Sequence, residues 1–235
     1  MSATEEAINT AAQWIREADA LVLTAGAGMG VDAGLPDFRG REGLWRAYPP
    51  LAGRGLDFAA MANPRWFQHD PRLAWGFYGH RLEQYRAIDP HPGYHILRDW
   101  CQAREHAIFT SNVDGHFAAV GFAPERICEV HGSIHHLQCT LACSSAIWSA
   151  EAHRPAIDAA TLHETGPLPR CPACRALARP NILMFGDAAW IPDRSHLQEL
   201  RHEQFLHRMH RARLVVVECG AGTAVPTVRQ HGEWI

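Results

Sequence analysis

The pattern of apolar and polar positions along the chain predicts a fold in which helices and strands alternate. Residues 3–18 have the spacing of an amphipathic helix, and a short apolar run at 20–24 has the character of a buried strand. That strand leads directly into a glycine-rich loop. Helix, strand and glycine loop in this order are typical of the start of a nucleotide-binding α/β sheet. The apolar positions on one side of the first helix are Ala7, Ile8, Ala11, Trp14 and Ile15.

The pattern of apolar and polar positions also predicts the later elements and one insertion. The predicted strands are 107–110, 126–130, 181–185 and 214–217. The predicted helices are 72–85, 94–102 and 196–213, the last burying Leu197, Leu200, Phe205 and Leu206. Residues 41–92 are rich in aromatics and prolines without a strand pattern, which indicates a helical insertion. A helix begins after Pro226, and the apolar ending Trp234-Ile235 leads us to expect a fragment or a sheet one strand short.

Composition narrows the function classes. The 235 residues suit one large domain, or one domain with a small inserted domain. A net charge of −3 argues against a nucleic-acid or membrane-surface binder. Every basic residue is arginine, which excludes a Schiff-base lysine and a Walker P-loop. We expect a cytoplasmic protein, because seven cysteines in a chain of this length fit a reducing compartment and neither a signal peptide nor an apolar span is evident.

A glycine-rich loop is the first candidate for chemistry. Gly26-Ala27-Gly28-Met29-Gly30 follows the first strand, where glycines let main-chain N–H groups approach a phosphate. The spacing is not the dehydrogenase G-x-G-x-x-G, and no acidic residue ends a second strand about 20 residues later, so a plain tight turn is the alternative. The continuation Pro36-Asp37-Phe38-Arg39 favours a loop that folds over a ligand; the alternative is a surface turn with an ordinary ion pair.

Polar residues at two later strand ends are the next candidates. Ser111, Asn112 and Asp114 follow the strand at 107–110, where open α/β sheets bind ligands; an Asx-turn is the alternative. His131 follows the strand at 126–130 and is a candidate general base, because its ordinary pKa of about 6.5 suits neutral pH. The chain has 16 histidines, so the alternative is a histidine without a chemical role.

Four of the cysteines form two pairs with metal-ligand spacing. Cys139 and Cys143 are separated by three residues, and Cys171 and Cys174 by two. Two thiol pairs on tight turns predict a structural Zn²⁺ site. A redox Cys-x-x-Cys is the weaker alternative, because no thioredoxin-like βαβ pattern surrounds it. The remaining cysteines, Cys101, Cys128 and Cys219, are expected to be buried thiols.

Tyr78 and Arg81 lie three residues apart in a predicted helix and therefore share a face. A phenol and a guanidinium on one face can grip one carboxylate together. An exposed arginine beside a half-buried tyrosine is the alternative.

In order along the chain, these blocks resemble the sirtuins, the NAD-dependent protein deacylases. The resemblance spans residues 20–226. The matching blocks are Gly26-Ala27-Gly28, Gly34-Leu35-Pro36-Asp37-Phe38-Arg39-Gly40, Asn112-Val113-Asp114-Gly115, Val130-His131-Gly132-Ser133, the four cysteines, Phe185-Gly186-Asp187 and Gly222-Thr223-Ala224.

This resemblance implies an α/β fold with a Rossmann-like parallel sheet domain and a smaller inserted domain. The first would comprise residues 1–40, 93–136 and 180–235. The smaller domain would combine a helical module at 41–92 with a zinc-binding module at 137–179. NAD would lie between the two domains.

The resemblance also implies a role for each block. Cofactor contacts would come from Gly26, Ala27, Gly28, Asp37, Phe38, Arg39, Ser111, Asn112, Asp114, Gly222, Thr223 and Ala224. Catalysis would rest on His131 as the general base, with Asn112 and Asp114 holding the nicotinamide ribose side. Phe185 and Gly186 would pair with the substrate main chain as an added strand. The zinc, held by Cys139, Cys143, Cys171 and Cys174, would be structural.

The implied reaction transfers an acyl group from a lysine of a protein substrate to ADP-ribose, releasing nicotinamide and 2′-O-acyl-ADP-ribose. Ala62 and the Tyr78/Arg81 pair resemble the sirtuin branch that removes succinyl and malonyl groups. Departures from the family pattern fall at Gly30, Ala33, Ser111, Ala224 and Pro226, and in the order His116-Phe117. They bear on cofactor affinity more than on cofactor identity.

Two rival functions belong to other classes. A protein ADP-ribosyltransferase, or another NAD-consuming enzyme, could use the same fold. A non-catalytic zinc-ribbon module needs a basic face, and residues 139–179 are not strongly basic. If the chain is the deacylase that the resemblance implies, we expect acyl-lysine proteins as partners, no nucleic acid, no membrane and a monomer.

Overall fold

A computed structural model describes residues 2–31, 33–35, 40–223 and 225–235, with only the main chain described at 40–42. Successive strands of its main sheet are separated by helices, as the sequence pattern predicts. The strands are β1 (Ala20–Ala25), β2 (Glu105–Thr110), β3 (Ile127–Glu129), β4 (Gly132–Cys139), β5 (Ile147–Ser149), β6 (Ile157–Asp158), β7 (His163–Glu164), β8 (Ala178–Ile182) and β9 (Leu214–Cys219). The helices are α1 (Ala3–Glu17), α2 (Gly28–Val31), α3 (Gly40–Ala47), α4 (Pro49–Ala52), α5 (Phe58–Met61), α6 (Trp66–His69), α7 (Pro71–Ala87), α8 (Pro92–Cys101), α9 (His116–Ala119), α10 (Asp193–Met209) and α11 (Thr227–Trp234).

The main sheet consists of four parallel strands in the order β3-β2-β1-β9. Side chains alternate between the two faces of a strand, so β1 supplies both faces of the core. Leu21 and Leu23 pack with Tyr94 of α8 on one face. Ala20 and Val22 pack with Phe205 of α10 on the other. Helices on both faces of a parallel sheet are the Rossmann-like arrangement that the sequence predicts.

Two predictions about helices need qualification. Helix α1 begins at a capping box in which Ser2 and Glu5 bond each other, but Ile8 and Trp14 on its apolar side are more than half exposed. In α10, Leu197 and Leu200 are also about half exposed, at 50% and 55%, so their predicted burial is wrong. The helix instead turns Ser195, Gln198, His202 and Phe205 inward. Tertiary contacts decide which side of α10 is buried, because polar groups on β3 and α11 form hydrogen bonds with the side that carries these four residues.

The insertion between β1 and β2 is helical, as predicted, and runs from α3 to α7 among the described residues. Its longest helix, α7, packs against β6 and β7 from the cysteine-bearing segment. The approach is close at Gly76, where an added Cβ would lie 1.9 Å from the Leu162 carbonyl oxygen. A glycine here lets two modules that are distant in sequence form one apolar cluster, which includes Trp75, Phe77 and Leu162.

The cysteine-bearing segment forms small antiparallel sheets rather than irregular structure alone. Strands β5, β4 and β8 make one sheet, and β6 and β7 make another. The predicted strand at 181–185 is misplaced, because β8 ends at Ile182. The residues after it leave the sheet through Gly186, whose φ is +67°. Strand β4 was not predicted.

The α/β fold class, with a parallel sheet and a smaller inserted part, is confirmed. The boundaries of the two predicted domains stay a prediction. No helix among the described residues is both long and apolar enough to cross a membrane.

Candidate functional site at the carboxyl edge of the sheet

The strand register places the candidate loops side by side. Ala25 of β1 is paired with Thr110 of β2 and with Cys219 of β9, and Thr110 is paired with Glu129 of β3. All four strands are parallel, so their carboxyl ends form one edge of the sheet. The loops that begin there are 26–30, 111–115, 130–132 and 220–223. Four stretches that are far apart in sequence therefore meet at one ligand-sized edge.

Two glycine loops touch each other at this edge. The N–H of Gly28 donates to the Gly220 carbonyl at 2.9 Å, and the N–H of Gly26 donates to the Cys219 carbonyl at 2.9 Å. A Cβ on Gly220 would lie 2.0 Å from the Met29 nitrogen, and one on Gly26 would lie 2.8 Å from the Gly220 oxygen. The loops can be this close only because these positions lack side chains. The result is a closely packed main-chain cradle in which the N–H groups of Gly26 and Gly28 donate within the chain, so any phosphate would depend on other donors of the loops.

The loop at 111–115 is fixed by hydrogen bonds to neighbouring strands. The Thr110 hydroxyl donates to the Ala25 carbonyl at 2.8 Å and accepts from the Asn112 N–H at 3.0 Å. The Asp114 carboxylate accepts from the His116 N–H at 2.9 Å, and the His135 ring nitrogen Nε2 lies 2.7 Å from the Asp114 carbonyl oxygen. Asn112 and Asp114 are each 7% exposed, so both polar side chains are held in a largely dry environment.

His131 lies in the turn between β3 and β4, at the same edge. Its carbonyl accepts from the Leu183 N–H at 3.0 Å, which fixes the turn against the chain that follows β8. Burial lowers the pKa of His131 below its ordinary value, because desolvation disfavours the imidazolium form. The neutral imidazole that a general base requires is therefore favoured at physiological pH.

Some predicted contacts lie outside the described residues. These are Asp37, Phe38 and Arg39 of the loop after Leu35, and Ala224 of the second glycine loop. The other predicted members of that loop, Gly222 and Thr223, lie within the described structure next to Gly220.

The chain from Leu183 to Asp187, here the 183–187 loop, is anchored on two sides. The Phe185 N–H donates to the Ala62 carbonyl at 2.9 Å, and the Asn63 side-chain amide donates to the Phe185 carbonyl at 3.1 Å. On the other side, Asp187 forms a buried ion pair with Arg179. The main-chain groups of Phe185 are thus already engaged within the chain. Any pairing with a peptide strand would fall to its neighbours, among them Gly186.

The predicted pair Tyr78 and Arg81 is buried, not exposed, which removes the surface alternative. Tyr78 is 1% and Arg81 7% exposed, and the Arg81 guanidinium carbon lies 5.7 Å from the centre of the Tyr78 ring. Burial raises the pKa of Tyr78 to about 12, and the nearby Arg81 charge opposes that rise. Tyr78 shares one apolar cluster with Val113 and Met184. The pair therefore belongs to the same core as the 111–115 and 183–187 loops.

The four cysteines, here the cysteine tetrad, come together as predicted. Their sulfur atoms all lie within 4.8 Å of one another, and Cys139–Cys174 and Cys143–Cys171 are each 3.6 Å apart. A tetrahedral Zn²⁺ with sulfur ligands at about 2.3 Å needs sulfur atoms about 3.8 Å apart. The donor set fits structural zinc.

Sequence reasoning missed several residues that the tertiary structure brings to this region. Tyr85 bonds the Arg81 guanidinium, and Arg179 holds the 183–187 loop through Asp187. His116 is 1% exposed, and neither of its ring nitrogens has a hydrogen-bond partner among the described residues. The position of Tyr85, one helical turn after Arg81, was a usable signal. The ion pair of Arg179 and the burial of His116 are not indicated by local spacing.

Known proteins are similar to this chain over most of its length. A model described as the Sir2 family matches residues 26–216. The "NAD-dependent protein deacylase" of Pyrococcus furiosus is 33% identical over 71% of this chain and 61% of its own length. "NAD-dependent protein deacylase 2" of Pseudomonas aeruginosa is 30% identical over 76% of this chain and 65% of its own length. The chain thus spans less than two thirds of the length of these curated relatives.

A solved structure provides an independent comparison of the fold. A Sir2 homologue in complex with NAD superimposes with a TM-score of 0.68 at 26% identity, covering 95% of this chain and 79% of that one. The family model covers the first glycine loop, the 111–115 loop, the His131 turn and the cysteine tetrad. Together with the strand-edge geometry, this match shows that the chain belongs to the Sir2 family.

Proposed function

We propose that this chain is an NAD-dependent protein lysine deacylase. The observation that carries the proposal is the meeting of the two glycine loops, the 111–115 loop and His131 at one edge of a parallel sheet. The curated relatives named as NAD-dependent deacylases support it. When bound, NAD supplies the ADP-ribosyl group that accepts the acyl chain.

Different loops of the chain would contact different parts of the dinucleotide. The loop of Gly26, Ala27 and Gly28 would approach the pyrophosphate, and its shape depends on the glycines, since a side chain at Gly26 or Gly220 would collide with the facing main chain. Ser111, Asn112 and Asp114 would hold the nicotinamide and its ribose, and Gly222, Thr223 and Ala224 the adenosine side. Asp37, Phe38 and Arg39 would cover the nicotinamide ribose.

His131 would take a proton from a ribose hydroxyl as the general base. Its half-buried position and lowered pKa keep the imidazole neutral, and its main chain is fixed to Leu183 next to the 183–187 loop. That loop would position the acyl-lysine peptide, with Phe185 and Gly186 nearest to it. Activity should then fall as the pH drops through the lowered pKa of His131, below about 6.5.

The cysteine tetrad would hold one structural Zn²⁺. Strand β4 runs from Gly132 to Cys139, so about seven extended residues, or roughly 20 Å, separate the tetrad from His131. At that distance the ion would stabilise the small module and would not polarise the substrate.

We further propose that Tyr78 and Arg81 select acidic acyl groups. A succinyl or malonyl carboxylate could accept hydrogen bonds from a buried phenol and guanidinium, whereas an acetyl group carries no such acceptor. Charge-assisted bonds of this kind are roughly twice as strong as neutral ones.

The test is incubation with NAD and either acetyl-, succinyl- or malonyl-lysine peptides, with mass spectrometry of the products. Acyl-ADP-ribose and free lysine support the deacylase. ADP-ribosylated protein or free ADP-ribose would instead favour the transferase alternative. His131→Ala should lower deacylation about 10²- to 10⁴-fold, and His207→Ala, on the exposed side of α10, is the matched control. Cytoplasmic location and a monomeric state remain predictions.

A further inference from the structure

We propose that Tyr85 is a positioning residue for acyl recognition, because its hydroxyl fixes the orientation in which the Arg81 guanidinium meets an acyl carboxylate. This inference rests on the proposed deacylase function and extends the Tyr78/Arg81 site by one residue. It concerns the choice of acyl group and not the transfer step itself.

The geometry of the contact sets the plane of the guanidinium. Tyr85 lies one turn after Arg81 in α7, and its hydroxyl oxygen accepts from Arg81 Nη2 at 2.8 Å and from Nε at 3.1 Å. Two donors on one edge of a planar group, bound to one oxygen, restrict both its rotation and its tilt. The remaining edge, which carries Nη1, is thereby directed away from Tyr85.

Aromatic rings enclose the same guanidinium. The Arg81 carbon Cζ lies 5.4 Å from the Phe77 ring centre, 5.7 Å from that of Tyr78 and 5.4 Å from that of Tyr85. The side chain is 7% exposed, so water screens its charge poorly. A buried, oriented cation loses little further freedom when an anion binds, which is the physical meaning of preorganisation.

The Tyr78 hydroxyl is the second hydrogen-bond donor of the proposed acyl site, next to the Arg81 guanidinium. The Tyr78 hydroxyl is buried and has no hydrogen-bond partner among the described residues. Burial holds its pKa near 12, so it keeps its proton at neutral pH and can donate. A carboxylate has enough acceptor sites for both a phenol and a guanidinium.

Aromatic contacts connect the rings around Arg81 to the 183–187 loop. The Phe185 ring packs edge-on against Phe58 at 6.1 Å, and Phe58 packs against Phe77 at 6.5 Å. Phe77 is one of the rings around the Arg81 guanidinium. An acyl chain that enters beside Phe185 would follow an apolar wall towards the oriented cation.

The experiment compares kcat/KM for succinyl-lysine and acetyl-lysine peptides in the parent and in variants. Tyr85→Phe removes one oxygen and keeps the ring. The ratio of succinyl to acetyl kcat/KM should fall about tenfold, the effect of weakening one charge-assisted hydrogen bond between the acyl carboxylate and Arg81. The loss should appear mainly in KM for the succinyl peptide. Arg81→Lys keeps the charge but loses the planar fork, so the ratio should fall in this variant also.

A double variant distinguishes positioning from general structure. In an Arg81→Met background, Tyr85→Phe should change the ratio by less than twofold, because the hydroxyl acts only through the guanidinium. An equal loss in both backgrounds would overturn the proposal, and so would an unchanged ratio in Tyr85→Phe. Thermal unfolding of each variant verifies that the fold is retained.

The parent reactions separate this inference from the proposed function. If acetyl-lysine peptides are turned over but succinyl- and malonyl-lysine peptides are not, the proposed deacylase function holds and the role of Tyr85 is overturned. If no acyl peptide is turned over, the proposed deacylase function itself is wrong.

Discussion

Replacing Gly220 with alanine is the most direct test of the cradle between the two glycine loops. Gly220 has a φ of +62°, a left-handed conformation that a residue with a side chain adopts at a cost. The added Cβ would also lie 2.0 Å from the Met29 nitrogen and 2.6 Å from the Gly28 carbonyl carbon. Both neighbours are main chain, so neither can move aside by a simple change of rotamer.

Two contributions set the magnitude. The left-handed conformation costs about 1–2 kcal/mol for a non-glycine residue. Forcing a methyl group into a filled space typically costs about 1–3 kcal/mol, here by pushing the loops apart and weakening the Gly28-to-Gly220 bond. We therefore expect the free energy of unfolding to fall by about 2–5 kcal/mol, and the Tm by roughly 4–20 °C.

Thermal unfolding and calorimetric titration with NAD measure the two consequences separately. Gly222→Ala is the matched control for stability, because a Cβ there meets nothing within 4 Å among the described residues. Gly220→Ala should lower both the Tm and the affinity for NAD, whereas Gly222→Ala should leave the Tm unchanged. A Gly220→Ala protein with the Tm and NAD affinity of the parent would show that the loops do not form a shared cradle.

Four further results are expected. Elemental analysis should find about one zinc per chain on the cysteine tetrad, and removing it with a chelator should lower the Tm; a metal-free protein of equal stability would contradict this. Gly76→Ala should destabilise the fold by about 1–3 kcal/mol in urea unfolding, since its Cβ would meet the Leu162 carbonyl at 1.9 Å. Burial lowers the pKa of His202 to about 4, so this group should cost stability as the pH falls below about 6.5, on the order of 2 kcal/mol by pH 5; urea unfolding of His202→Gln should show a weaker pH dependence. Asn63→Ala removes the bond to the Phe185 carbonyl and should raise KM for the peptide several-fold at unchanged kcat, and an unchanged KM would argue against anchoring of the loop.

Features that depend on a few neighbouring residues could be predicted from the sequence. Strand β1, helix α7 and the helical insertion follow from local periodicity, which is set by the backbone geometry of each element. The cysteine tetrad followed from the spacing of two thiol pairs, because a tight turn brings both sulfurs of a pair to one ion. The glycine loops and the polar residues at the strand ends were recognisable for the same reason: each is a short block with one local conformation.

Burial and partner choice could not be predicted this way. Leu197 and Leu200 have helical spacing, yet α10 buries His202 and Gln198 instead, because the Glu129 N–H and His231 supply polar partners on that side. Periodicity identifies an amphipathic side, but the elements that pack against the helix decide which side is covered.

The sequence by itself determined most of the elements, the parallel α/β class, the grouping of the four cysteines and the short blocks that follow the strands of the main sheet. Only the tertiary structure decided that Gly220 approaches Met29 and that Arg179 and Asn63 hold the 183–187 loop from two sides. The physical reason is the sequence separation between the residues that interact. Propensity and spacing act over one or two turns of chain, whereas strand register and module docking join residues up to about 190 positions apart, and those contacts complete the site.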